Sequence, residues 1–326
     1  MQKTIIGAVL AVIMGSSAST DELTLQLKWT PQAQFAGYYI AEAKGFYDSE
    51  GLDVTILPGG PKIAPTQVLA QGLADVVIEW MPAALAAREK GLPLVNIAQP
   101  FKGSGLRLAC LKVAVPKDPK TDLAGGTLGV WFEGNEYPLL NWMALNGLET
   151  AGPQAIKLVA QDTSPDLLTQ KRATCISAMT YNEIDLLAHT PLSPDDWVSY
   201  ELDRPTLEDG LYVLETDLKD PAKSDRFVRF VRASMQGWQY AQDHPDEAAS
   251  IVMQRDPSRD LSRQRKMIDE VTALLSSQAE LNPQDYQNTV DILLSPESKP
   301  VIARAPDGAF TQAITDKAFA PAPAQP

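Results

Sequence analysis

The sequence predicts an α/β protein with two Rossmann-like lobes, a hinge, and a ligand cleft between the lobes. Strand-like segments alternate with helix-like segments, and this alternation occurs in two separate units along the chain. The chain has 326 residues, which is enough for about two domains. Hydrophobic residues make up 44% of it, so a sizeable core can form without metals or many disulfides.

The charge of the chain restricts its partners. The formal net charge is −13 and the pI is near 4.7. A chain this acidic repels phosphate backbones and anionic lipid, which argues against nucleic-acid and membrane-surface binding. Charged residues make up 21%, a value typical of folded rather than disordered chains. We interpret the acidity as a solubility property, because it does not by itself indicate a cationic ligand.

Residues 1–18 have the layout of a secretory signal peptide. Lys3 gives a positive start, an apolar run extends from Ile5 to Met14, and small residues follow at Ser16-Ser17-Ala18. The run is short for a bilayer span, which disfavours the alternative of an uncleaved anchor. No lipobox cysteine follows. We therefore predict cleavage near Ala18 and a soluble mature chain outside the cytoplasm.

The first unit predicts a parallel, helix-covered sheet. Its strand-like segments are Leu23–Leu27, Leu52–Ile56, Asp75–Glu79 and Leu94–Ile97. Its helix-like segments are Gln34–Lys44, Pro65–Gln71 and Pro82–Lys90, each followed by a glycine that stops the helix. The predicted first lobe combines residues 19–110 with residues 206–318.

The second unit forms the predicted second lobe, residues 111–205, after a strand-like segment at 107–115. Its further strands are Thr127–Trp131, Ile156–Ala160 and Cys175–Met179, and its helices are Glu136–Leu145, Pro165–Lys171 and Asn182–Ala188. The segment Leu211–Glu215 predicts a strand that returns to the first lobe. The last third is mostly helical, and one apolar face of it predicts core packing: Phe227, Phe230, Val231, Met235 and Trp238. The Pro/Ala-rich tail, 319–326, predicts disorder.

The chain has two cysteines, Cys110 and Cys175. Two thiols often pair in an oxidising compartment, so we predict a disulfide between them. Two buried, reduced thiols are the alternative, because sequence does not show whether the two residues come close enough. Neither their spacing nor their neighbours indicate a zinc site or a catalytic thiol.

Aromatic and polar side chains gather directly after the predicted strands. Ligands of open α/β sheets bind at the carboxyl ends of strands. Aromatic faces stack on a flat ring, and carboxylates and amides accept its N–H donors. Core packing is the alternative for any single tryptophan, but clustering after four strands favours a cleft. The predicted ligand-contacting residues are Trp29, Gln34, Tyr38, Glu79, Trp80, Trp131, Asn135, Glu136, Tyr181, Asn182 and Glu183.

The sequence gives little indication of catalysis. Its two histidines, His189 and His244, have no metal-ligand spacing, and no nucleophile elbow, Walker loop or dinucleotide-binding glycine motif is present. Glu133 and Glu136 could be read as paired carboxylates. Without a base, a metal or an oxyanion site, we interpret them as hydrogen-bond acceptors. We predict no catalytic residue, no metal and no cofactor.

Several motifs in combination resemble NMT1/THI5-like periplasmic binding proteins. The "KGFY…EGLDV" stretch is shared with nitrate, sulfonate and taurine binders, so the combination rather than that stretch carries the resemblance. The matching segments are 28–31, 34–39, 43–47 with 50–54, 129–131 with 134–136, 179–183, and 237–241 with 244–248.

This resemblance implies a type II periplasmic-binding-protein fold with two crossover strands and closure on the ligand. It also implies an ABC permease in the inner membrane as partner, a periplasmic location, and a thiamine-related pyrimidine such as formylaminopyrimidine or hydroxymethylpyrimidine as ligand. Trp29, Tyr38, Trp131 and Tyr181 would then stack on the ring or shape the site. Glu183 would accept from the amino group of the pyrimidine, with Asn135 and Glu79 as further polar contacts. We expect a monomer.

Three alternatives remain open at the level of sequence. One is a thiamine pyrimidine synthase-like enzyme, which consumes its own histidine and bound pyridoxal phosphate with iron. The chain lacks the cysteine-rich iron motif of that enzyme, and an export signal does not suit a cytosolic one. The second is a binder of riboflavin or of nitrate, sulfonate or taurine. The third is a binding protein that reports to a sensor.

Overall fold

The computed structural model describes residues 20–112 and 123–321. The predicted signal peptide with its cleavage site, residues 113–115 of the predicted strand 107–115, and the tail beyond residue 321 lie outside the described residues. Two five-stranded sheets form the cores of two α/β domains. The chain crosses between the domains at 99–105 and again at 202–209.

The sheet of the first domain is mixed. Its strands are β1 (Asp21–Gln26), β2 (Leu52–Leu57), β3 (Val76–Glu79), β4 (Leu94–Ala98) and β10 (Gly210–Leu214), in the spatial order β2-β1-β3-β10-β4. Strand β1 pairs in parallel with β2 and β3, whereas β10 runs antiparallel to β3 and β4. The four strands predicted for the first unit therefore run in one direction, as expected, and the returning strand β10 lies antiparallel between β3 and β4 because it enters from the second domain.

The sheet of the second domain repeats this arrangement. Its strands are β5 (Leu106–Leu111), β6 (Thr127–Val130), β7 (Lys157–Ala160), β8 (Cys175–Met179) and β9 (Trp197–Glu201), in the order β7-β6-β8-β5-β9. Strand β5 runs antiparallel to β8 and β9. In each domain the antiparallel strand inside the sheet is the first strand after a crossover.

Helices cover the sheets. The first domain contains a 3-10 turn (Ala33–Phe35), α1 (Ala36–Ala43), α2 (Phe46–Ser49), α3 (Pro65–Ala70), α4 (Met81–Glu89), α8 (Glu215–Leu218), α9 (Pro221–Asp243), α10 (Pro245–Met253), α11 (Leu261–Thr272), α12 (Pro283–Leu294) and α13 (Ala313–Ala318). The second domain contains α5 (Tyr137–Leu145), α6 (Asp166–Thr169) and α7 (Glu183–Ala188). Among the described residues, no helix combines the length and the apolarity that crossing a bilayer requires.

Three features differ from the prediction. Strand β5 belongs to the second sheet, so the first crossover precedes Leu106 rather than following residue 110. Strand β9 was not predicted, because its alternation is weak and both of its faces are partly exposed. Phe319, assigned to the tail, packs against the core of the first domain. The return of β10 to the first sheet and the burial of the α9 face are confirmed.

Helices α1 and α9 cross in close contact at two glycines. A Cβ on Gly237 would collide with the carbonyl oxygen of Gly37, and a Cβ on Gly37 would collide with the indole of Trp238. Any larger residue would push the two helices apart. Trp238 also lies beside Tyr38 and Phe101 in the core. This crossing fixes α1, and with it the chain segment that precedes α1.

A disulfide joins Cys110 on β5 to Cys175 on β8, which face each other in the antiparallel register. It closes a segment with a sequence separation of 65. Both cysteines are buried in the second domain.

Reduction of this disulfide should lower the free energy of unfolding by about 2–4 kcal/mol, because the unfolded chain regains the entropy of the open loop. Denaturant unfolding with and without a phosphine reductant measures the loss. The variant with Cys110→Ala and Cys175→Ala is the control, since its unfolding should not respond to the reductant. Two reactive thiols on denatured, unreduced wild-type protein would contradict the pairing.

Candidate functional site

A small cavity lies between the two domains, at the edge where β1, β3, β6 and β8 end. Its volume is about 30 Å³, enough for a water molecule or two but not for a ring. A ring-sized ligand therefore requires the domains to move apart before it can enter. The residues that line the cavity are Lys28, Trp29, Gln32, Gln34, Trp80, Trp131, Asn135, Met179, Tyr181, Asn182 and Glu183.

The structure brings eight of the predicted ligand-contacting residues to this cavity. They share a position just beyond the end of a strand, where the post-strand rule places ligands. They are Trp29, Gln34, Trp80, Trp131, Asn135, Tyr181, Asn182 and Glu183.

The structure does not bring the other three to the cavity. Tyr38 is buried in the core of the first domain, where it lies near Phe230 and Trp238, because its face of α1 packs against α9. Glu79 forms an ion pair with Lys28 and lines a neighbouring groove rather than the cavity. Glu136 faces a neighbouring groove of about 470 Å³ and accepts a hydrogen bond from the Gly134 amide.

The sequence patterns did not indicate three residues that line the cavity, Lys28, Gln32 and Met179. They also did not indicate Asp209, which accepts hydrogen bonds from the lining residues Gln34 and Trp80. Lys28 and Met179 stand in the quoted motifs but carried no predicted contact. Asp209 precedes a strand, so a search for residues that follow strands does not find it. It reaches the site because β10 is antiparallel, with Gly210 opposite Glu79 at the end of β3.

Tryptophans from both domains form the aromatic walls. Trp29 of the first domain meets Trp131 of the second edge to face, with ring centroids 5.8 Å apart. The indole of Trp131 donates to the carbonyl of Asp162 at 3.1 Å. The indole of Trp80 donates to Asp209 at 3.1 Å. Because these N–H groups are satisfied by the protein, the rings can present their apolar faces to a ligand.

Three amide and carboxyl side chains form one hydrogen-bonded row on the first domain. Gln34 donates from Nε2 to Asp209 Oδ2 at 2.7 Å, and Gln32 donates from Nε2 to Gln34 Oε1 at 2.7 Å. All three side chains are buried. Burial raises the pKa of Asp209 to about 6, although the hydrogen bond from Gln34 and the charge of Lys28 oppose this rise.

Glu183 is the carboxylate that the second domain contributes to the cavity. It accepts hydrogen bonds from the Met179 amide at 3.0 Å and from Asn182 Nδ2 at 2.7 Å. Burial raises its pKa to about 7. Each oxygen of a carboxylate can accept two hydrogen bonds, so Glu183 retains capacity for a ligand donor.

Glu208 connects the two crossover segments. It accepts hydrogen bonds from Ser104 in the first crossover and from the Tyr181 hydroxyl of the second domain, the latter at 3.3 Å. Glu208 is completely buried. Burial, followed by the charge of neighbouring Asp209, raises the pKa of Glu208 to about 8.

An ion cluster that we call the Asp185 clamp joins the domains beside the cavity. Asp185 on α7 accepts from Arg263 Nε at 2.8 Å and from Lys266 Nζ at 2.7 Å, both on α11 of the first domain. The Asp185 side chain is 7% exposed. Burial alone would raise the pKa of Asp185, but hydrogen bonds from Lys266 and Arg263 hold it below the ordinary value.

The described part of the chain contains no group of histidine, cysteine, aspartate and glutamate side chains that could hold a metal ion. Two mixed α/β domains, a double crossover and a polar, aromatic cavity between the domains define the class of periplasmic binding proteins. The chain belongs to the NMT1/THI5-like family, whose model matches residues 32–248.

Two relatives differ in how much of the chain they match. The formylaminopyrimidine-binding protein of Halalkalibacterium halodurans is 26% identical over 267 residues, which cover 76% of this chain and 78% of that protein. The 4-amino-5-hydroxymethyl-2-methylpyrimidine phosphate synthase THI5 of Saccharomyces cerevisiae is 32% identical over 98 residues, 27% of this chain and 29% of that enzyme. The match to the binding protein therefore spans both domains, whereas the match to the enzyme covers a fragment.

Solved structures support the same fold. A protein of Bordetella bronchiseptica aligns over 92% of this chain and 97% of its own, with a TM-score of 0.72 and 20% identity. A ligand-binding component of an ABC-type import system from Staphylococcus aureus covers 92% and 99%, with a TM-score of 0.64 and 13% identity. A Candida albicans protein described as having the generic periplasmic binding protein fold covers 89% and 96%, with a TM-score of 0.65 and 17% identity. At these identities the likeness shows the fold.

Proposed function

We propose that this protein is the extracytoplasmic solute-binding component of an ABC importer and that its solute is a thiamine-related aminopyrimidine. The observation that carries the proposal is the interdomain cavity, which Trp29, Trp80 and Trp131 line together with Glu183. Indole faces stack on a flat ring, and the carboxylate accepts from an exocyclic amino group. The similarity to a formylaminopyrimidine-binding protein, which covers 76% of this chain, supports this choice of ring.

The charges around the cavity favour a neutral or cationic ligand over an anion. Lys28 is the cation among the lining residues that the structure describes, and its ammonium group is paired with Glu79. Glu183 and Asp209 add negative charge when they are ionised. An anion such as nitrate or a sulfonate would lose its hydration without gaining a free positive partner.

Binding is proposed to proceed by closure. The ligand enters when the domains are apart, contacts the first domain, and is covered when α7 and Trp131 of the second domain approach. Closure is favoured because the ligand contacts both domains only in the closed state. The protein then presents the loaded, closed form to a permease, and no chemical step on the ligand is proposed.

A ligand screen tests the proposal directly. Isothermal titration of the mature protein should show one-to-one binding of an aminopyrimidine such as hydroxymethylpyrimidine or formylaminopyrimidine, with no conversion of the ligand over hours. Riboflavin, thiamine, nitrate, taurine, alkanesulfonates and amino acids complete the panel. Binding of nitrate or sulfonates alone would contradict the aminopyrimidine, and turnover would contradict the binding role.

Replacement Glu183→Gln should weaken aminopyrimidine binding by about 1.5–3 kcal/mol, because a charged acceptor of a buried hydrogen bond is lost. Titration at about pH 8, where Glu183 is ionised, measures the effect. Glu136→Gln is the matched control, since Glu136 is a partly buried carboxyl outside the cavity and should leave affinity unchanged. Unchanged affinity in Glu183→Gln would remove Glu183 from the site.

A further inference from the structure

The row Asp209–Gln34–Gln32 has only one chemically consistent direction. An ionised carboxylate carries no hydrogen, so Gln34 must turn its NH2 group toward Asp209. Gln34 then offers its oxygen to Gln32, and Gln32 must turn its own NH2 group toward Gln34. The orientation of two amides therefore follows from the charge of one residue.

The end of this row is a buried, unpaired acceptor. Gln32 is 1% exposed, and its Oε1 has no hydrogen-bond partner among the described residues. Gln32 lines the cavity. A buried carbonyl oxygen without a partner costs on the order of 1–3 kcal/mol, so a donor from a ligand would recover free energy here.

A second unpaired acceptor lines the cavity from the opposite domain. Asn135 donates from Nδ2 to the carbonyl of Phe132 at 3.2 Å, and a carbonyl can only accept. The oxygen Oδ1 of Asn135 is thereby fixed as the free group, and it is buried without a partner in the described part of the chain. Each domain thus contributes one side chain with a fixed, unpaired acceptor to the lining of the cavity.

We propose that Asp209 sets the hydrogen-bond polarity of the site, so that the ligand must carry N–H or O–H donors on two edges, one facing Gln32 and one facing Asn135. This inference rests on the proposed function and narrows its ligand class to amino-heterocycles with a second donor. It also assigns Asp209, Gln34 and Gln32 as residues that determine specificity. A heterocycle that presents carbonyl oxygens on both edges would place acceptor against acceptor and be rejected.

Two ligands that differ in one group test the polarity. These are 4-amino-5-hydroxymethyl-2-methylpyrimidine and the analogue in which an oxo group replaces the 4-amino group. The wild-type protein should prefer the amino compound by at least about 100-fold, because sites built to pair with a donor strongly reject analogues that lack it. Measurement at about pH 8 keeps Asp209, whose pKa burial raises to about 6, ionised.

The variant Asp209→Asn should reduce this preference to about tenfold or less. An asparagine amide can donate to Gln34, which frees both glutamines to reverse and lets Gln32 present its NH2 group. Glu136→Gln is the control, because it neutralises a partly buried carboxyl of the neighbouring groove without touching the row or the cavity, and it should keep the preference. A full preference in Asp209→Asn would overturn the proposal.

A measurement without ligand separates this inference from the proposed function. In 15N-labelled, ligand-free protein, the side-chain amide of Gln32, which donates to Gln34, should be protected from hydrogen exchange in the wild type. It should lose protection in Asp209→Asn, because the reversed row leaves the NH2 group of Gln32 without an acceptor. Unchanged exchange in the variant would overturn the proposal that Asp209 orients the two glutamines, even if aminopyrimidines bind. If neither pyrimidine binds, the proposed ligand is contradicted. The exchange result still shows whether Asp209 sets the direction of the hydrogen-bonded row. Circular dichroism confirms that the variants are folded.

Discussion

Thermal stability of the ligand-free protein should fall as the pH rises from about 5 to about 8. Three buried carboxyl groups cause this trend. Burial raises the pKa of Glu183 to about 7, of Glu208 to about 8 and of Asp209 to about 6. Each folded-state pKa lies above the unfolded value, so the folded state binds more protons in this range. The stability they contribute is complete below the unfolded pKa values and is lost as the pH rises through the folded ones.

The expected change is several kcal/mol, since each unit of pKa shift corresponds to about 1.4 kcal/mol. Calorimetric unfolding across the pH range measures it. Glu208→Gln should flatten the profile, because a neutral side chain no longer has to ionise in the hinge. Glu247→Gln is the control, since the Glu247 side chain is exposed and its hydrogen bond with Lys44 lowers its pKa. Glu247 therefore does not titrate in this pH range. A stability that increases between about pH 5 and about pH 8 would contradict the raised pKa values of the three buried carboxyl groups.

Removal of both cations from the Asp185 clamp should weaken ligand binding by about 100-fold while leaving each domain folded. In the double variant Arg263→Gln and Lys266→Gln, closure would bury the carboxylate of Asp185 without a partner. Because the two cations are partly exposed, we expect a cost of about 1.5–3 kcal/mol, the usual contribution of a hydrogen bond to a charged group, and this cost falls on the closed state. A smaller closed population lowers the apparent affinity in proportion.

Arg265→Gln provides a matched control on the same helix. Arg265 pairs with Asp246 and Asp269, both of the first domain, so its loss should not affect closure. Titration calorimetry gives the affinities, and small-angle scattering of the ligand-free proteins should show a larger radius of gyration for the clamp variant. Equal effects in the two variants would show that the clamp has no role in closure.

The alternation of strands and helices could be predicted from sequence because both periodicities are local. Strand direction could not, since β5 and β10 are antiparallel only through the way the chain returns to each sheet. The same limit explains Asp209, which reaches the cavity from the start of an antiparallel strand. The direction of a strand depends on the topology of the whole chain, so it cannot be predicted from the residues of a short segment.

For a related reason, only part of the candidate site could be predicted from sequence. Trp29 and Tyr38 both follow the first strand within twelve residues, yet only Trp29 lines the cavity. Tyr38 turns inward because α9, almost 200 residues later in the chain, lies against its face of α1. The hydrogen-bonded row is also invisible in sequence, because its direction depends on side chains that are distant along the chain.

The crossing of Gly37 and Gly237 bears on how ligands should be inferred for related chains. Both glycines, and Trp238 beside them, stand in the motifs that mark this family, yet their contacts are with each other and with the core. These three residues determine how the two helices pack, and a transport protein for a different nutrient would need them equally. Positions 32 and 209 fall outside those motifs, while position 135 lies in one. A classification of these binding proteins by ligand should therefore compare these three positions before it compares the family motifs.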